Sequence, residues 1–296
     1  MDQFRITGST RLTGLLGSPV SHSFSPLMHN EAFRLQNLDY VYLCFDVKED
    51  GLEKAINGLL SLGARGFNLT MPHKSLAVSF MDDLTPAASL IGAINTVVCE
   101  DDGRMIGHNT DGVGYMEALH DAGYNVIGKE ITLLGSGGAA SAIVAQAALD
   151  GVKAVNVFMR PESSHAPKME KLASSINSVL SCNVQVYEQS DMLSFRRALE
   201  RSTLVVNATS VGMAPDTNAT LIEDLSMLRP DLIVSDVIYS PRQTRLLKEA
   251  ASIGCRTMNG MYMLLYQGAA AFRLWTDHEM PVEQIKEKFF SGPDCQ

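Results

Sequence analysis

Between Ile131 and Met258, short apolar, β-branched runs alternate with stretches of helical periodicity. The runs at Ile131–Leu134, Ala154–Met159, Val184–Tyr187, Leu204–Ala208, Leu232–Val237 and Cys255–Met258 predict six strands. Helical patterns fall between most of them, at 139–149, 168–179, 195–200 and 243–251. Strands alternating with helices imply parallel βαβ units wound into one sheet. The first half also alternates, with different punctuation. Strands are expected at Leu12–Leu16, Tyr40–Phe45, Gly66–Leu69, Ala93–Cys99 and Met105–His108, and helices at 26–36, 52–62 and 86–91. A helix near Asp111–Ala122 would cross between the halves. The apolar helix 260–275 and the segment 281–290 follow the sixth strand of a completed sheet, so they are expected to pack back on the first half. The predicted fold class is therefore α/β with two domains. An N-terminal α/β domain would span 1–111, with 260–296 returning to it, and a doubly wound parallel-sheet domain would span 112–259.

The start of the second sheet adds chemistry. In Ile131-Thr-Leu-Leu-Gly-Ser-Gly-Gly-Ala-Ala140, Gly135, Gly137 and Ala140 have the spacing G-x-G-x-x-A between a strand and a helix. In a Rossmann domain the first such position makes the tight turn, the second lets a pyrophosphate approach, and the third packs helix on strand. The helix N-terminus supplies N–H donors and the positive dipole end. Gly135, Ser136, Gly137, Gly138 and Ala139 are thus candidate cofactor-binding residues.

Composition narrows the partners. A formal net charge of -9 argues against a nucleic-acid surface. No apolar run is long enough for a membrane span. The opening residues Met1–Thr7 lack a basic-then-apolar leader pattern. Five scattered cysteines without a C-x-x-C pair suggest neither a disulfide frame nor a zinc site, so no metal is expected and a cytoplasmic setting is.

Polar residues collect where first-half strands end, and each also has a plain structural explanation. Ser23 and Ser25 precede a helix; Ser25 before Pro26 makes a good N-cap, yet two hydroxyls at i and i+2 could also grip a carboxylate. Lys74, in Asn68-Leu-Thr-Met-Pro-His-Lys74, is expected at a helix start, where a lysine is usually a solvated charge but is mismatched to the dipole. His73 reads as structural. Asn95, expected inside a strand, needs a backbone or ligand partner there. Asp111 could simply cap the crossover helix. In the second half, the Asn207–Met213 loop and Tyr239 follow strands four and five, at the sheet end where such folds bind ligands. Gln267, on the apolar C-terminal helix, could equally satisfy a core hydrogen bond.

Taken in order, Ser-His-Ser-Phe-Ser-Pro, Asn-Leu-Thr-Met-Pro-His-Lys, Gly-Ala-Ile-Asn-Thr, Asn-Thr-Asp-Gly, Gly-Ser-Gly-Gly-Ala, Asn-Ala-Thr-Ser-Val-Gly-Met and Met-Leu-Leu-Tyr-Gln-Gly resemble the shikimate dehydrogenase family from end to end. The rear match through Phe272-Arg-Leu-Trp-Thr276 looks most like its quinate/shikimate branch. The resemblance implies an oxidoreductase that passes hydride between a nicotinamide cofactor and the ring alcohol of a hydroxylated cyclohexene or cyclohexane carboxylate. It implies that Ser23, Ser25 and Tyr239 hold the carboxylate. Thr70, Lys74, Asn95, Asp111 and Gln267 would hold the ring hydroxyls, with Lys74 and Asp111 as the catalytic pair. Thr209, Met213 and Gly260 would border the cofactor.

Cofactor choice is read from Phe158-Met-Arg-Pro-Glu162. NADP-using relatives commonly carry Asn-Arg-Thr there, with a second arginine four residues after the first. Here Ser164 takes that second place, and Glu162 would repel a 2′-phosphate and accept from a ribose hydroxyl. NAD is the expected cofactor, with NADP tolerated through Arg160; Glu162 as a solvated loop residue is the plain alternative. Competing readings are an NADP-dependent biosynthetic shikimate dehydrogenase and a non-catalytic ligand sensor on the same scaffold. A homodimer is left open.

Overall fold

The computed structural model describes residues 6–290. The opening residues Met1–Arg5, Cys295 and the rest of 291–296 therefore lie outside the described residues. In chain order the first elements are β1 (Arg11–Gly17), α1 (Ser25–Leu35), β2 (Tyr40–Asp46), α2 (Leu52–Ser61), β3 (Gly66–Leu69), a 3₁₀ turn (Leu76–Phe80), β4 (Asp83–Leu84), α3 (Pro86–Ile91), β5 (Thr96–Cys99), β6 (Met105–His108) and α4 (Thr110–Asp121). Then come β7 (Glu130–Leu134), α5 (Gly138–Leu149), β8 (Ala154–Met159), α6 (Ala166–Val179), β9 (Asn183–Glu188), α7 (Met192–Arg201), β10 (Leu204–Asn207), β11 (Ile233–Asp236), α8 (Arg245–Ile253), β12 (Arg256–Met258), α9 (Met261–Thr276) and α10 (Val282–Ile285).

Two compact units result. One holds the described residues through Thr110 and those from Leu265 onward; the other holds Asp111–Leu264. The first division, between Thr110 and Asp111, falls inside α4, as the expected 111/112 junction does; the second, between Leu264 and Leu265, falls inside α9 rather than before it at 259/260.

The first unit has a six-stranded sheet in the order β2-β1-β3-β5-β6-β4. β1 runs parallel to β2 and β3, while β5 is antiparallel to β3 and β6. Residues paired across strands share a face, so the period of two sorts side chains onto opposite sides. Leu16, Phe67 and Val97 enter a core with Leu52, Ile56 and Leu59 of α2. On the other face, α9 lies close enough to α1 that a Cβ on Gly268 would stand 2.1 Å from the Met28 methyl. Trp275 is 1% exposed and donates its indole N–H to the Val97 carbonyl at 3.0 Å. A Cβ at Gly66 would sit 2.3 Å from that nitrogen, so glycine starts β3. Phe24 meets Phe289 and Phe290 edge-on at 5.5 and 5.4 Å, which holds the last described segment in this unit. That segment is not one helix over 281–290: α10 gives way to a π-helical turn at Lys286–Phe290.

The second unit is an all-parallel Rossmann-like sheet in the order β12-β11-β10-β7-β8-β9. Strand order reverses between β7 and β10, which opens a crevice at their carboxyl ends. Leu134, Phe158, Val205 and Val234 pack with Phe195, Leu199 and Leu246 into its core. No described helix is long and apolar enough to cross a membrane.

Candidate active site

In the first unit, the carboxyl ends of β1 and β3 and the beginning of antiparallel β5 meet at one edge of the sheet. Register fixes this: Asn68 pairs with Thr96, which pairs with His108. The segments leaving that edge are tied together by backbone bonds. Ser18 N–H donates to the Met71 carbonyl at 3.0 Å, and Thr70 N–H to Leu16 at 3.0 Å. Gly17 leaves room for Thr70, whose methyl would lie 2.2 Å from a Cβ there. The Lys74 carbonyl accepts from Ile94 N–H at 2.8 Å, which sets Lys74 beside Asn95.

Asn95 precedes β5 instead of lying inside a strand, as sequence suggested. Its Oδ1 accepts from Thr110 N–H at 2.7 Å, Thr96 Oγ1 at 3.0 Å and Thr110 Oγ1 at 3.1 Å, and its Nδ2 donates to Thr110 Oγ1 at 3.0 Å. An amide this constrained works better as a clamp on the β6–α4 connection than as a strand residue. Asn109 donates to the Ala93 carbonyl at 3.1 Å and tightens the same edge.

Three other local expectations change. Ser25 is not the N-cap of α1: the cap position is Phe24, without a side-chain bond, and Ser23 Oγ accepts from Ser25 N–H at 3.3 Å. Burial pushes the Tyr42 phenol and the Cys44 thiol up, and the Ser25 and Ser23 hydroxyls pull them back in turn. Lys74 does not open a helix. It stands in a turn before the 3₁₀ segment, so the dipole mismatch argued for it does not arise. Asp111 lies within the first turn of α4, where a carboxylate suits the positive helix end. His73 is structural, as expected: fully buried, with Nε2 2.7 Å from the Val47 carbonyl. Gln267 lies on α9.

In the second unit a cleft of about 670 Å³ opens at the crevice between β7 and β10. Gly135 has φ +120°, and a Cβ there would stand 2.8 Å from the Ala208 carbonyl, so the turn after β7 requires glycine. Gly137 and Gly138 would present a Cβ to open space. Gly137 caps α5 with no side-chain bond, which leaves first-turn N–H groups facing the cleft. Such an open glycine loop at an uncapped helix start fits a dinucleotide pyrophosphate.

The opposite lip is organised by Asn207 and Asp236. Asn207 Nδ2 donates to Asp236 Oδ2 at 3.2 Å and to Val211 O at 3.0 Å, while its Oδ1 accepts from Thr209 N–H and Oγ1 at 3.1 and 2.7 Å. Asp236 also accepts from Ile238 N–H at 2.9 Å and Thr244 Oγ1 at 2.9 Å. Burial pushes its carboxyl above the usual range, while these donors pull it back. Met213 and Tyr239 line the cleft beyond this pair.

Not every expected cofactor residue lines it. Arg160 does, but Glu162 is exposed and outside the lining. Gly260 serves the backbone: a Cβ there would lie 1.9 Å from Val237 O. Sequence reasoning missed Ser163, His165 and Gln189, which do line the cleft. Ser163 Oγ lies 3.0 Å from Ser136 Oγ and joins the loop after β8 to the glycine loop. Gln189 follows β9, with its N–H donating to Met159 O at 2.8 Å. The signal for it was position alone, at the carboxyl end of the strand beside β8. Among the described residues no group of three or more His, Cys, Asp or Glu side chains could hold a metal ion.

Comparison with known proteins decides the family. Residues 15–97 match the family model for the shikimate dehydrogenase substrate binding domain, and residues 260–288 the one for the shikimate 5′-dehydrogenase C-terminal domain. A Listeria innocua protein named shikimate dehydrogenase (NADP(+)) is 49% identical over 97% of this chain and 98% of its own length. The chain belongs to the shikimate dehydrogenase family. It is an oxidoreductase by that membership. Within the family, the crystal structure of shikimate 5-dehydrogenase from Listeria monocytogenes, in complex with shikimate and NAD, is 49% identical. It superposes with a TM-score of 0.93 over 96% of this chain and 98% of that one. Quinate dehydrogenase from Corynebacterium glutamicum, in complex with NAD, is 30% identical with a TM-score of 0.84 over 96% and 99%.

Proposed function

We propose that this protein interconverts the ring alcohol of shikimate and its ketone, with quinate a second substrate, and that NAD is its preferred cofactor. The observation that carries the reading is the sheet edge of the first unit, where Thr70, Lys74 and the clamped Asn95–Thr110 pair are gathered by backbone bonds. A polyol ring needs such a cluster of short, oriented donors and acceptors. The relatives that support shikimate and quinate bind or bear the name of those molecules.

The nicotinamide supplies the hydride chemistry when bound; the chain supplies orientation and proton handling. Residues 135–139 would cradle the pyrophosphate, and Met213 would border the reacting end. Lys74 would act as the acid/base, with its ammonium donating to the ketone oxygen in the reducing direction, and Asp111 would orient it. Ser23, Ser25 and Tyr239 would bind the carboxylate; Thr70, Asn95 and Gln267 would bind hydroxyls. NAD preference is supported by Ser164 at the second-arginine place and by the NAD-bound Listeria relative. The name of the Listeria innocua relative and the position of Arg160 in the cleft support NADP use as a second reading. The free state of the four described cysteines suits a reducing compartment such as the cytoplasm.

A matrix of shikimate and quinate against NAD and NADP tests these assignments together. Shikimate with NAD is expected to give the highest kcat/KM; a large NADP advantage overturns the cofactor preference. Lys74→Ala is expected to lower kcat by about 10²- to 10⁴-fold, the range for a lost general acid/base. A variant that keeps kcat and loses only affinity removes Lys74 from proton transfer.

A further inference from the structure

In a Rossmann domain the adenosine ribose is met by a side chain about 20 residues beyond the glycine turn. Here that region is the loop after β8, and it is folded as two consecutive turns. Ser163 N–H donates to the Arg160 carbonyl at 3.1 Å, and Ala166 N–H to the Ser163 carbonyl at 2.9 Å. The two middle residues of a β-turn form its tip, while the first and last stand at its base. Glu162 is in the tip of the first turn and Ser164 in the tip of the second; both are exposed and outside the cleft lining. Arg160 and Ser163 stand at turn bases, and both line the cleft.

The Ser163 hydroxyl is held from two sides. Its Oγ accepts from His165 N–H at 3.3 Å and lies 3.0 Å from Ser136 Oγ in the glycine loop. Ser136 is buried and also lines the cleft. Either hydroxyl can donate across this pair. Whichever does, one hydroxyl proton and two acceptor lone pairs are left within it. A ribose hydroxyl both donates and accepts, so it can take that proton and return its own. A 2′-phosphate brings only acceptor oxygens, and their negative charge meets the lone pairs of the serines. Its match in the same loop is the Arg160 guanidinium, a fork of donors with no acceptor.

We propose that Ser163, backed by Ser136, is the specificity-determining residue for the cofactor: this hydroxyl pair, and not the Glu162 carboxylate, reads the 2′-hydroxyl of the adenosine ribose. The inference rests on the reading of the cleft as a dinucleotide site, and it deepens the NAD preference by naming the group that recognises NAD. Glu162 has the chemistry for that role, but the first turn aims it at solvent. Ser163 has weaker, neutral chemistry in the right place. Its bonds to Ser136 and His165 fix it between the ribose loop and the glycine loop before any ligand arrives, which is where preorganisation gains affinity.

Calorimetric titration of the full chain with NAD and with NADP tests this without turnover. Ser163→Ala removes the hydroxyl and keeps both backbone turns. Its NAD affinity is expected to fall about five- to tenfold, the size of one ordinary hydrogen bond, and its NADP affinity by less than about twofold. A hydroxyl that only fastens the loop would cost both cofactors alike, so equal losses, or no loss, overturn the proposal. Ser163→Thr keeps a hydroxyl and should recover most of the NAD affinity. Glu162→Gln should change NAD affinity by less than about twofold. A loss of NAD affinity in Glu162→Gln with none in Ser163→Ala returns the role to the carboxylate and overturns the proposal. If the wild type binds NADP more tightly than NAD while Ser163→Ala still loses NAD alone, the NAD preference fails and the assignment of Ser163 stands. If the wild type binds neither nucleotide, the dinucleotide reading of the cleft fails, and this inference with it.

Discussion

Asp236 shows how one buried carboxylate can hold a ligand-binding lip. Both of its oxygens face donors: Ile238 N–H on one, Thr244 Oγ1 and Asn207 Nδ2 on the other. Desolvation opposes the charge, and the hydrogen bonds offset part of that cost. Asparagine has the same shape but only one acceptor oxygen, so Asp236→Asn turns an amide NH₂ toward at least one donor. A buried donor left without its acceptor costs about 1–3 kcal/mol. Asp236→Asn is therefore expected to be less stable in urea by that amount and to bind dinucleotide more weakly, because Asn207 and the Thr209 turn depend on it. Unchanged urea stability would show that the carboxylate charge is dispensable.

At the scale of elements, the glycine loop separates folding from binding. Gly135 lies at φ +120° against the Ala208 carbonyl, so Gly135→Ala is expected to cost about 1–3 kcal/mol of stability through backbone strain. Gly137 has φ -74° and open space at its Cβ. Gly137→Ala should therefore melt like the wild type yet lose at least about tenfold in dinucleotide affinity, or about 1.4 kcal/mol. Calorimetric titration paired with thermal unfolding separates the two; equal loss of affinity and stability in both variants would refute the division. This loop was legible in sequence because its requirements are local: a strand, a turn that needs glycine, and a helix start. The strands were legible for a related reason, since period and β-branching mark them, although two-residue β4 is too short to show either. What escaped was tertiary. The bonds to Thr110 that draw Asn95 out of β5 come from a residue fifteen positions away, and the bond from the Tyr42 hydroxyl to Asn68 joins β2 to β3 across β1. Glu162 sits in the right loop but outside the cleft lining, and its neighbour Ser163 faces inward. Loop direction is set by pairs such as Ser136–Ser163, which spacing alone does not reveal.

For the whole molecule, stability against acid depends on competing terms. A net charge of -9 means that self-repulsion eases as carboxylates protonate, which favours the folded chain as pH falls. His29 acts the other way. Its ring is fully buried between Tyr42 and Trp275, at centroid distances of 4.5 and 5.4 Å, and neither ring nitrogen has a hydrogen-bond partner. Burial lowers its pKa from 6.5 to about 3. Between those values the unfolded chain binds a proton that the folded chain refuses, so ΔG of unfolding rises with pH and is lost as pH falls below 6.5. One such group contributes a slope approaching about 1.4 kcal/mol per pH unit. His108, also lowered by burial, adds in the same direction. The whole acid limb therefore cannot be assigned to one histidine, but a difference can. His29→Phe keeps an aromatic ring on Tyr42 while removing the titration, and leaves His108 and the surface charge as they were. Urea midpoints measured from pH 7 to pH 4.5 should fall less steeply in His29→Phe than in the wild type, so that the variant gains relative stability as acid increases. Two parallel limbs would mean that His29 takes up its proton inside the fold, and that the aromatic stack opens to admit it.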